Sequence, residues 1–295
     1  MSTKEFKSGF ISIVGKPNTG KSTLMNRLVG EKLSIITSKA QTTRHRIMGI
    51  INSDDYQIVY SDTPGIIDPA YKLQESMMSF VTSSLDDADG ILLVIECGDK
   101  TMDHIQEKLK RVKVPIIILI NKVDLKEDQA VVEAYIEKVK EQFNPHSILP
   151  ISALHGFNTD SVLPMIEEIL PVHPAYFPDG DLTDKTERFF ASEIVREKIF
   201  LNYKQEIPYA CEVVIIKFKE TDKIIRIYAD IMVERDTQRG IMIGSGGKAL
   251  KMVGVEARKD MEDFFGKQVY LELYVKVDKD WRKNDKKLER FGYIN

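Results

Sequence analysis

A short motif near the N-terminus constrains this chain more than any other feature. Residues 15–22 read Gly-Lys-Pro-Asn-Thr-Gly-Lys-Ser, and they lie between a predicted strand (residues 10–14) and a predicted helix (residues 22–29). In this strand-to-helix context, the spacing of the glycines, lysine and serine is typical of a loop that cradles nucleotide phosphates. An ordinary glycine-rich turn is the alternative, and the motifs that follow disfavour it.

The residue types of this loop suit phosphate binding for physical reasons. Gly15 and Gly20 let the backbone turn so that its N–H groups point at phosphate oxygens, and the helix adds the positive end of its dipole. Lys21 can reach the β- and γ-phosphates, and Ser22 can ligate Mg²⁺. The loop residues predicted to bind nucleotide are Gly15, Lys16, Pro17, Asn18, Thr19, Gly20, Lys21, Ser22 and Thr23.

The first 170 residues alternate short β-rich runs with amphipathic stretches. The run at residues 114–121 is almost wholly apolar, as expected for a central strand covered on both faces. The alternation predicts an α/β domain with a mostly parallel sheet and helices on both faces. The predicted strands are 10–14, 47–52, 57–62, 90–96, 114–121 and 147–152, and the predicted helices are 22–29, 74–85, 103–111, 129–142 and 160–170.

A second motif, Asp62-Thr63-Pro64-Gly65, ends the third predicted strand. Asp62 is the expected carboxylate that holds Mg²⁺, directly or through water, and the Gly65 amide can meet the γ-phosphate. Asp-x-x-Gly by itself is a common turn. Its place at the carboxyl end of a strand, where α/β sheets bind their ligands, makes a functional role the better interpretation.

A third motif, Asn121-Lys122-Val123-Asp124, directly follows the apolar strand. The Asp124 carboxylate can accept hydrogen bonds from guanine N1–H and N2–H₂, whereas adenine would leave it unpaired. Leaving the carboxylate unpaired costs about 1–3 kcal/mol, which is enough to favour guanine over adenine by tens-fold in affinity. A polar strand-to-helix turn is the alternative. Ser152-Ala153 ends the sixth predicted strand, and a backbone amide there could meet guanine O6.

The pattern changes after residue 170. Residues 171–184 contain three prolines, a density that prevents regular helix or sheet and indicates an interdomain linker. The predicted domains are residues 1–170 and residues 185–295, the latter with α+β character and a basic C-terminal tail. Its predicted elements are a helix (185–203), two strands (209–220 and 223–235), a glycine turn, a helix (247–265) and a strand (268–277).

The glycine turn reads Gly244-Ser245-Gly246-Gly247. A Gly-x-x-Gly loop before a helix can clamp an RNA backbone, and Lys248, Lys251 and Arg239 are placed to neutralise phosphates. A helix-capping loop without a ligand is the alternative. The aromatic residues of this half are expected in the core. Tyr270 and Trp281 could be exposed, but no base-stacking role is assigned to them.

Taken together, the motifs resemble those of translation-factor-class GTPases. Residues 38–46, Ser-Lys-Ala-Gln-Thr-Thr-Arg-His-Arg, closely resemble the first switch segment of the Era family, whose members combine a TrmE-Era-EngA-like GTPase domain with a type II KH domain. The resemblance extends over essentially the whole chain. It implies a GTP-hydrolysing switch that binds the 3′ end region of 16S ribosomal RNA and assists assembly of the small ribosomal subunit.

The resemblance also implies roles for single residues. Thr43 would coordinate Mg²⁺ when GTP is bound, with Thr42 as the alternative ligand, and Asn18 would hold K⁺ against the phosphates. Ile66 stands where Ras-type enzymes carry a water-orienting glutamine, and its side chain has no hydrogen-bonding atom. Catalysis would then rely on Lys21, Thr43, Asp62 and Gly65, and it would be slow without an activating partner.

Composition narrows the setting. The chain has 295 residues, two cysteines and no apolar run long enough to span a bilayer, and residues 1–8 do not form a signal peptide. A reducing cytoplasm and buried thiols are therefore expected. The net charge of −3 divides into −6 before Leu182 and +3 from Leu182 onwards, which permits a polyanionic partner for the second half.

Three other readings stay open. The chain could be an RNA-binding assembly factor in which nucleotide is mainly a structural ligand, or a signalling GTPase that contacts the cytoplasmic membrane peripherally through its basic tail. The C-terminal half could also be a domain other than KH. A monomer is expected, because nothing in the sequence indicates an obligate dimer.

Overall fold

A six-stranded sheet carries the first of two units. The structure, a computed structural model, describes residues 5–294, and the predicted domain limits at residues 1 and 295 lie outside this range. The first unit comprises the chain up to Ser34, Thr43–Pro69 and Met77–Asp184. The second comprises Ile35–Thr42, Ala70–Ser76 and the chain from Lys185 onwards.

The first unit has the predicted α/β fold. Its strand order is β2-β3-β1-β4-β5-β6, with β2 antiparallel to β3 and every other pair parallel. The strands are β1 (Lys7–Val14), β2 (Ile47–Asn52), β3 (Tyr56–Asp62), β4 (Gly90–Glu96), β5 (Ile116–Asn121) and β6 (Ser147–Pro150). The helices are α1 (Lys21–Val29), α2 (Lys72–Asp86), α3 (Asp103–Leu109), α4 (Gln129–Phe143) and α5 (Val162–Ile169).

The register of this sheet brings the predicted loops to one edge. β4 and β5 are buried almost throughout, as expected of central strands. The carboxyl ends of β1, β3 and β5 lead directly into the three nucleotide motifs. The sixth strand ends at Pro150, two residues earlier than predicted, although the Ile151 amide still donates to the Ile120 carbonyl (2.8 Å).

The proline-rich segment 171–184 contains no regular helix or strand, but it is held against the first unit. Gln57 binds it at three points: its side-chain amide donates to the Phe177 carbonyl (2.9 Å), and its oxygen accepts from the amides of Tyr176 (2.8 Å) and Phe177 (3.0 Å). The Ile50 amide donates to the Leu182 carbonyl (2.9 Å). The segment therefore covers the free edge of β2, which would otherwise expose unpaired backbone groups.

The second unit packs helices on one face of a three-stranded sheet. β7 (Glu212–Glu220) and β8 (Ile224–Val233) form an antiparallel hairpin, and β9 (Gln268–Val277) pairs parallel to β8. The core comes from alternate residues of the strands and from α6 (Glu187–Asn202) and α9 (Lys248–Phe265). The order of elements is that of an α+β domain. The shorter helices are α7 (Ile207–Ala210), α8 (Asp236–Ile243) and α10 (Asp285–Arg290).

A helix that was not predicted from the sequence precedes the glycine turn. α8 includes the apolar run 241–243, which reads equally well as part of a loop or a strand. Its start is fixed by Gln238, whose side-chain oxygen accepts from the amides of Glu234 (3.0 Å) and Arg235 (3.1 Å). The glycine loop therefore joins two helices rather than a strand and a helix.

The basic C-terminal tail is anchored to the second unit by a buried tryptophan and by ion pairs. Trp281, which could have been exposed, is fully buried, and its indole N–H donates to the Ala210 carbonyl (3.1 Å). Lys287 pairs with Asp278, and Arg282 pairs with Glu234. Long-range contacts of this kind leave no periodic signal in the sequence. Tyr270, by contrast, is 41% exposed, as predicted.

Two short segments from the first half of the chain belong to the second unit. In Ile35–Thr42, the Lys39 ammonium donates to the carbonyls of Phe200 and Tyr203 at the end of α6. In Ala70–Ser76, Lys72 pairs with Asp285. No helix within residues 5–294 is both long enough and apolar enough to cross a membrane.

Candidate functional site

The motif at residues 15–22 connects β1 to α1, which begins at Lys21. Gly20 has φ of 96°, and a Cβ there would lie 2.2 Å from the Asn121 side-chain nitrogen, so only glycine fits. The amide of Asn121 explains this closeness. Its nitrogen donates to the Thr19 carbonyl (2.7 Å), and its oxygen accepts from the Ala153 amide (2.9 Å). One buried side chain therefore joins three of the predicted nucleotide loops.

The three predicted magnesium ligands lie together. The Ser22 hydroxyl donates to Asp62 Oδ2 (2.7 Å) and lies 2.9 Å from the Thr43 hydroxyl. Ser34, which the sequence analysis did not identify, also donates to Asp62 Oδ2 (2.9 Å). Thr42 belongs to the second unit and bonds to Thr37 and Lys39. Of the two candidate threonines, the geometry therefore places Thr43 beside the other ligands.

Asp62 fits a divalent cation. It is fully buried, and within residues 5–294 its Oδ1 atom has no hydrogen-bond partner. Burial raises the pKa of this carboxyl, although Lys21 and the hydroxyls of Ser22, Ser34 and Thr43 act in the opposite direction. A buried, unsatisfied carboxylate oxygen is costly, and Mg²⁺ prefers oxygen ligands of this kind. The donor set therefore has the right chemistry for Mg²⁺.

Lys21 is a buried cation near this carboxylate. Its ammonium donates to the Lys16 carbonyl (2.8 Å), and its side chain is almost inaccessible to solvent. Desolvation lowers its pKa to about 8, partly offset by the charge of Asp62. A phosphate group beside the ammonium would restore the favourable electrostatics that burial removes. The loop is therefore built to accept an anion.

The predicted base-binding residues meet at the ends of β5 and β6. Asp124 lies in a short 3₁₀ turn after Lys122, and its side chain remains 25% exposed, open to a ligand. His155 Nε2 lies 3.7 Å from the Asp124 carboxylate. Arg27, another residue missed from the sequence, donates to the carbonyls of Ala153 (2.9 Å) and Leu154 (3.1 Å). Lys122 pairs with Glu96 at 2.7 Å.

The Asp62-Thr63-Pro64-Gly65 loop lies directly on the phosphate loop. A Cβ on Gly65 would come within 2.4 Å of the Pro17 backbone nitrogen, and the Thr63 hydroxyl donates to the Ile13 carbonyl (3.0 Å). The next residue, Ile66, is buried, and its amide donates to the Gly15 carbonyl (3.0 Å). Ile66 therefore serves packing and backbone bonding, and its side chain cannot orient water.

Lys16 projects from the phosphate loop towards the end of β4. Its ammonium bonds to both oxygens of Asp99 (2.7 and 3.0 Å) and also to the Thr101 hydroxyl. Although burial opposes it, hydrogen bonding from Lys16 and Thr101 lowers the pKa of Asp99. Asn18 lies at the exposed tip of the loop with φ of 64°.

The second predicted site lies between α8 and α9. Gly244, Gly246 and Gly247 all have positive φ, and nothing lies within 4 Å of a Cβ built on Gly246 or Gly247. The loop backbone is thus accessible to a phosphate chain at the start of α9, with Ser245 exposed. Lys248 and Lys251 are exposed beside it, and Arg239 pairs with Asp236 at 3.0 Å.

An apolar surface continues from this loop along α9. Lys248, Lys251, Met252, Val255 and Glu256 line a shallow pocket on the helix. Met252 and Val255 are 46% and 51% exposed, which is unusual for residues of this kind on a structured helix. Basic residues at one end and apolar side chains beyond them suit a nucleic-acid strand that presents phosphates and bases to the same surface.

Comparisons with known proteins match both halves. A family model described as the 50S ribosome-binding GTPase matches residues 10–122, and a KH-domain model matches residues 206–282. Over 294 residues, the chain is 45% identical to GTPase Era of Staphylococcus haemolyticus and 43% identical to that of Staphylococcus epidermidis. Each alignment covers 98% of this chain and 98% of the relative.

Two solved structures are similar over almost the entire chain. One is a tyrosine-to-alanine variant of Aquifex aeolicus Era bound to GDP and AlF₄⁻. The other is Era in complex with MgGDPNP and nucleotides 1506–1542 of 16S ribosomal RNA. Both give a TM-score of 0.94 at 38% identity, covering 98% of this chain and 100% of the other.

The fold and the nucleotide loops define this protein as a P-loop GTPase joined to a KH domain. The identity to curated relatives extends over 98% of the chain. The chain belongs to the Era family of GTPases.

Nucleotide binding should be coupled to protonation of Lys21. The pKa of about 8 means that the ammonium is partly neutral in the free protein at pH 8. A bound phosphate would raise this pKa, so binding takes up a proton. GDP affinity should therefore be constant below this pKa and fall by up to about tenfold per pH unit above it. Calorimetry in buffers of different ionisation enthalpy measures the uptake directly.

The Lys21→Met variant is the control, because it keeps the length of the side chain without a titratable amine. Its weaker binding should show no proton uptake at pH 8, and it also controls for titration of guanine itself. Equal uptake by the two proteins would assign the proton to another group.

Proposed function

We propose that this GTPase binds GTP and GDP at the carboxyl edge of the six-stranded sheet, with Mg²⁺ held by Ser22, Thr43 and Asp62. The observation that carries the proposal is the buried, unsatisfied Oδ1 atom of Asp62 beside two hydroxyl groups. The proposed nucleotide contacts are Gly15, Lys16, Pro17, Asn18, Thr19, Gly20, Lys21, Ser22, Thr23, Asp62, Thr63, Pro64, Gly65, Asn121, Lys122, Asp124, Ser152 and Ala153.

Hydrolysis then depends on positioning and on charge. Ser22, Thr43 and Asp62 would hold Mg²⁺, which would supply positive charge to stabilise the charge that develops in the transition state. Lys21 places a cation at the same phosphates, and the Gly65 amide can donate to the γ-phosphate. Thr43 orders the segment that covers them. Because Ile66 offers no hydrogen bond to water, the intrinsic rate should be slow.

Guanine recognition is proposed for Asp124. The Asp124→Asn variant replaces a double acceptor with a group that can also donate, which suits xanthine better than guanine. Affinity for GTP should fall about tenfold or more, while affinity for xanthosine triphosphate should rise. Competition binding with GTP, xanthosine triphosphate and ATP measures this change.

Glu127→Gln is the matched control, since it removes one carboxylate charge from the same exposed loop. It should leave the order of nucleotide preference unchanged. An unaltered guanine preference in the Asp124→Asn variant would remove Asp124 from the base-binding site.

Potassium is proposed as a second cation, held by Asn18 against the phosphates. Two observations support this role. Asn18 lies at the exposed tip of the phosphate loop, and Ile66 occupies the position where Ras-type enzymes carry a water-orienting glutamine. GTP hydrolysis should be faster in KCl than in NaCl at equal ionic strength. Asn18→Ala should bring the ratio of the two rates to about one, and equal rates in the unsubstituted protein would contradict the proposal.

The KH unit is proposed to bind single-stranded ribosomal RNA at Gly244, Ser245, Gly246, Gly247, Lys248, Lys251 and Arg239. The open backbone of the glycine loop supports this role. The similar Era structure contains nucleotides 1506–1542 of 16S ribosomal RNA, and we extend that 3′ end region to this chain as its target. Assistance in small-subunit assembly follows from the same target.

Gly246→Asp should weaken RNA binding about tenfold or more, because it places a negative charge where phosphates approach. Nucleotide affinity should not change. Gly266→Asp is the matched control: it adds the same charge at another glycine with positive φ and open surroundings, at the far end of α9. Fluorescence anisotropy with a labelled RNA of the 16S 3′ end compares the three proteins, and equal affinities would contradict the assignment.

The alternative reading, with nucleotide as a mainly structural ligand, is favoured only by Ile66. GTPase assays with and without small ribosomal subunits separate the two readings, since a switch should respond to its target. The basic tail gives little support to a membrane role, because Arg282 and Lys287 are engaged in ion pairs. Peripheral membrane contact, a cytoplasmic location and a monomeric state stay predictions.

A further inference from the structure

The sheet of the second unit has a face that the helices do not cover. α6 and α9 pack on one side through alternate residues of β7, β8 and β9. The other alternate residues point away from this core. On this open face, Tyr270 and Tyr274 are 41% and 49% exposed, and Tyr228 is half-buried between the strands. Large aromatic side chains on an uncovered sheet face have a function more often than scattered surface residues do.

Cations surround these tyrosines. The Lys217 ammonium lies 5.4 Å from the centroid of the Tyr228 ring, and the Arg226 guanidinium lies 5.7 Å from that of Tyr270. The two tyrosine rings are themselves 5.9 Å apart. Arg226 therefore places a positive charge within reach of the exposed Tyr270 ring, and Lys217 does the same for the half-buried Tyr228 ring. This is the arrangement that a stacked base and its phosphate require.

The strand register places two like charges opposite each other. Lys219 on β7 pairs directly with Arg226 on β8, on the open face, and Arg226 in turn is level with Tyr270 on β9. Like charges directly opposite on neighbouring strands destabilise a sheet. A polyanion bound across the strands would offset this repulsion, whereas a neutral or cationic partner would not.

The acidic residues of the face are already engaged. Glu272 accepts the hydroxyls of Tyr270 (3.0 Å) and Tyr274, and Asp230 pairs with Lys276 at 2.6 Å. Hydrogen bonding to Glu272 raises the pKa of both phenols and fixes the hydroxyl end of each ring. These hydrogen bonds do not neutralise the Glu272 carboxylate, but Lys217, Lys219 and Arg226 outweigh its single negative charge, so the charge that the face offers to a ligand is positive.

We propose that this open sheet face, formed by Lys217, Lys219, Arg226, Tyr228, Tyr270 and Tyr274, is a second single-stranded RNA-binding surface. Bases stack on the tyrosines, and the three cations bind the phosphates. Tyr274 lies four positions after Tyr270 on the strand, a span of about 13 Å, so the face accommodates about two or three nucleotides.

This surface is distinct from the glycine loop. The loop precedes α9, and α9 covers the opposite face of the same sheet. A strand clamped at Gly246 therefore cannot lie on Tyr270 without passing around an edge of the sheet. The inference goes beyond the proposed function, because it adds a site that the Gly-x-x-Gly motif neither contains nor implies.

The test measures binding of the whole chain to an unstructured RNA of about 16 nucleotides. Fluorescence anisotropy of the labelled RNA gives the affinity at each of several salt concentrations. Tyr270→Leu with Tyr274→Leu removes the rings and keeps apolar strand residues. Affinity should fall about thirtyfold or more. The matched control, Tyr270→Phe with Tyr274→Phe, keeps the rings and should bind like the parent.

The cations are tested in the same assay. Lys217→Gln, Lys219→Gln and Arg226→Gln together should reduce the slope of log affinity against log salt by about 2. Lys223→Gln, which removes an exposed charge from the turn between β7 and β8, should leave the slope unchanged. GTP hydrolysis without RNA should be unaltered in all these variants, and unchanged thermal unfolding followed by circular dichroism shows that the second unit folds in each of them.

Repeating the tyrosine variants with Gly246→Asp separates the two RNA sites. The Gly246→Asp chain should keep a weaker, salt-dependent affinity that the leucine variants abolish and the phenylalanine variants retain. Equal binding by the leucine and phenylalanine variants would overturn the sheet site and leave the glycine loop intact. Loss of self-association or of protein binding in the leucine variants, with unchanged RNA affinity, would identify a protein interface and overturn the RNA proposal.

Discussion

A single buried carboxylate organises the first unit. Asp62 is inaccessible to solvent at the end of β3, and a buried charge is tolerated only when other groups compensate it. Ser22 reaches it from α1, and Ser34 reaches it from the segment before β2. Lys21 supplies the nearby positive charge. The remaining carboxylate oxygen is left for a ligand, so the packing of this edge and its affinity for a cation depend on the same group.

Asn121 organises the base-binding side of the site, as Asp62 organises the phosphate-binding side. Its amide bonds to the phosphate loop at Thr19 and to the β6 loop at Ala153, and it excludes any side chain at Gly20. Both polar ends of one buried amide are thus satisfied by backbone groups of two other loops. Loops that are far apart in sequence are held at fixed distances, which is the pre-organisation that ligand discrimination requires.

Sequence motifs identified the groups that belong to local strand-to-helix turns. Asp62 and Asn121 follow directly from residue type, spacing and the end of a strand. The glycine loop at 244–247 follows from the spacing of its glycines, although it joins two helices. Ser34 and Arg27 did not, because each acts through a contact with a distant part of the chain. The role of a serine in a loop, or of an arginine on a helix, cannot be predicted from the sequence when it depends on partners that only the fold brings near.

Dependence on distant contacts also explains why helix α8 and the burial of Trp281 were not predicted in the second half of the chain. α8 is only two turns long, and its apolar residues have no clear period. Trp281 lies in a basic segment of the sequence, yet it is buried, and its indole N–H donates to the Ala210 carbonyl. The strand predicted at residues 268–277, by contrast, is observed as β9 with the same bounds, because a strand covered on one side repeats every second residue.

The division of the chain into two units runs through the predicted switch segment. Thr43, beside Asp62, belongs to the first unit, and Thr42 belongs to the second. Thr42 donates to the Lys39 carbonyl (2.8 Å), and the Lys39 ammonium binds carbonyls at the C-terminus of α6, where the helix dipole favours a cation. One peptide bond therefore separates a candidate metal ligand from contacts that reach the helix layer of the KH unit.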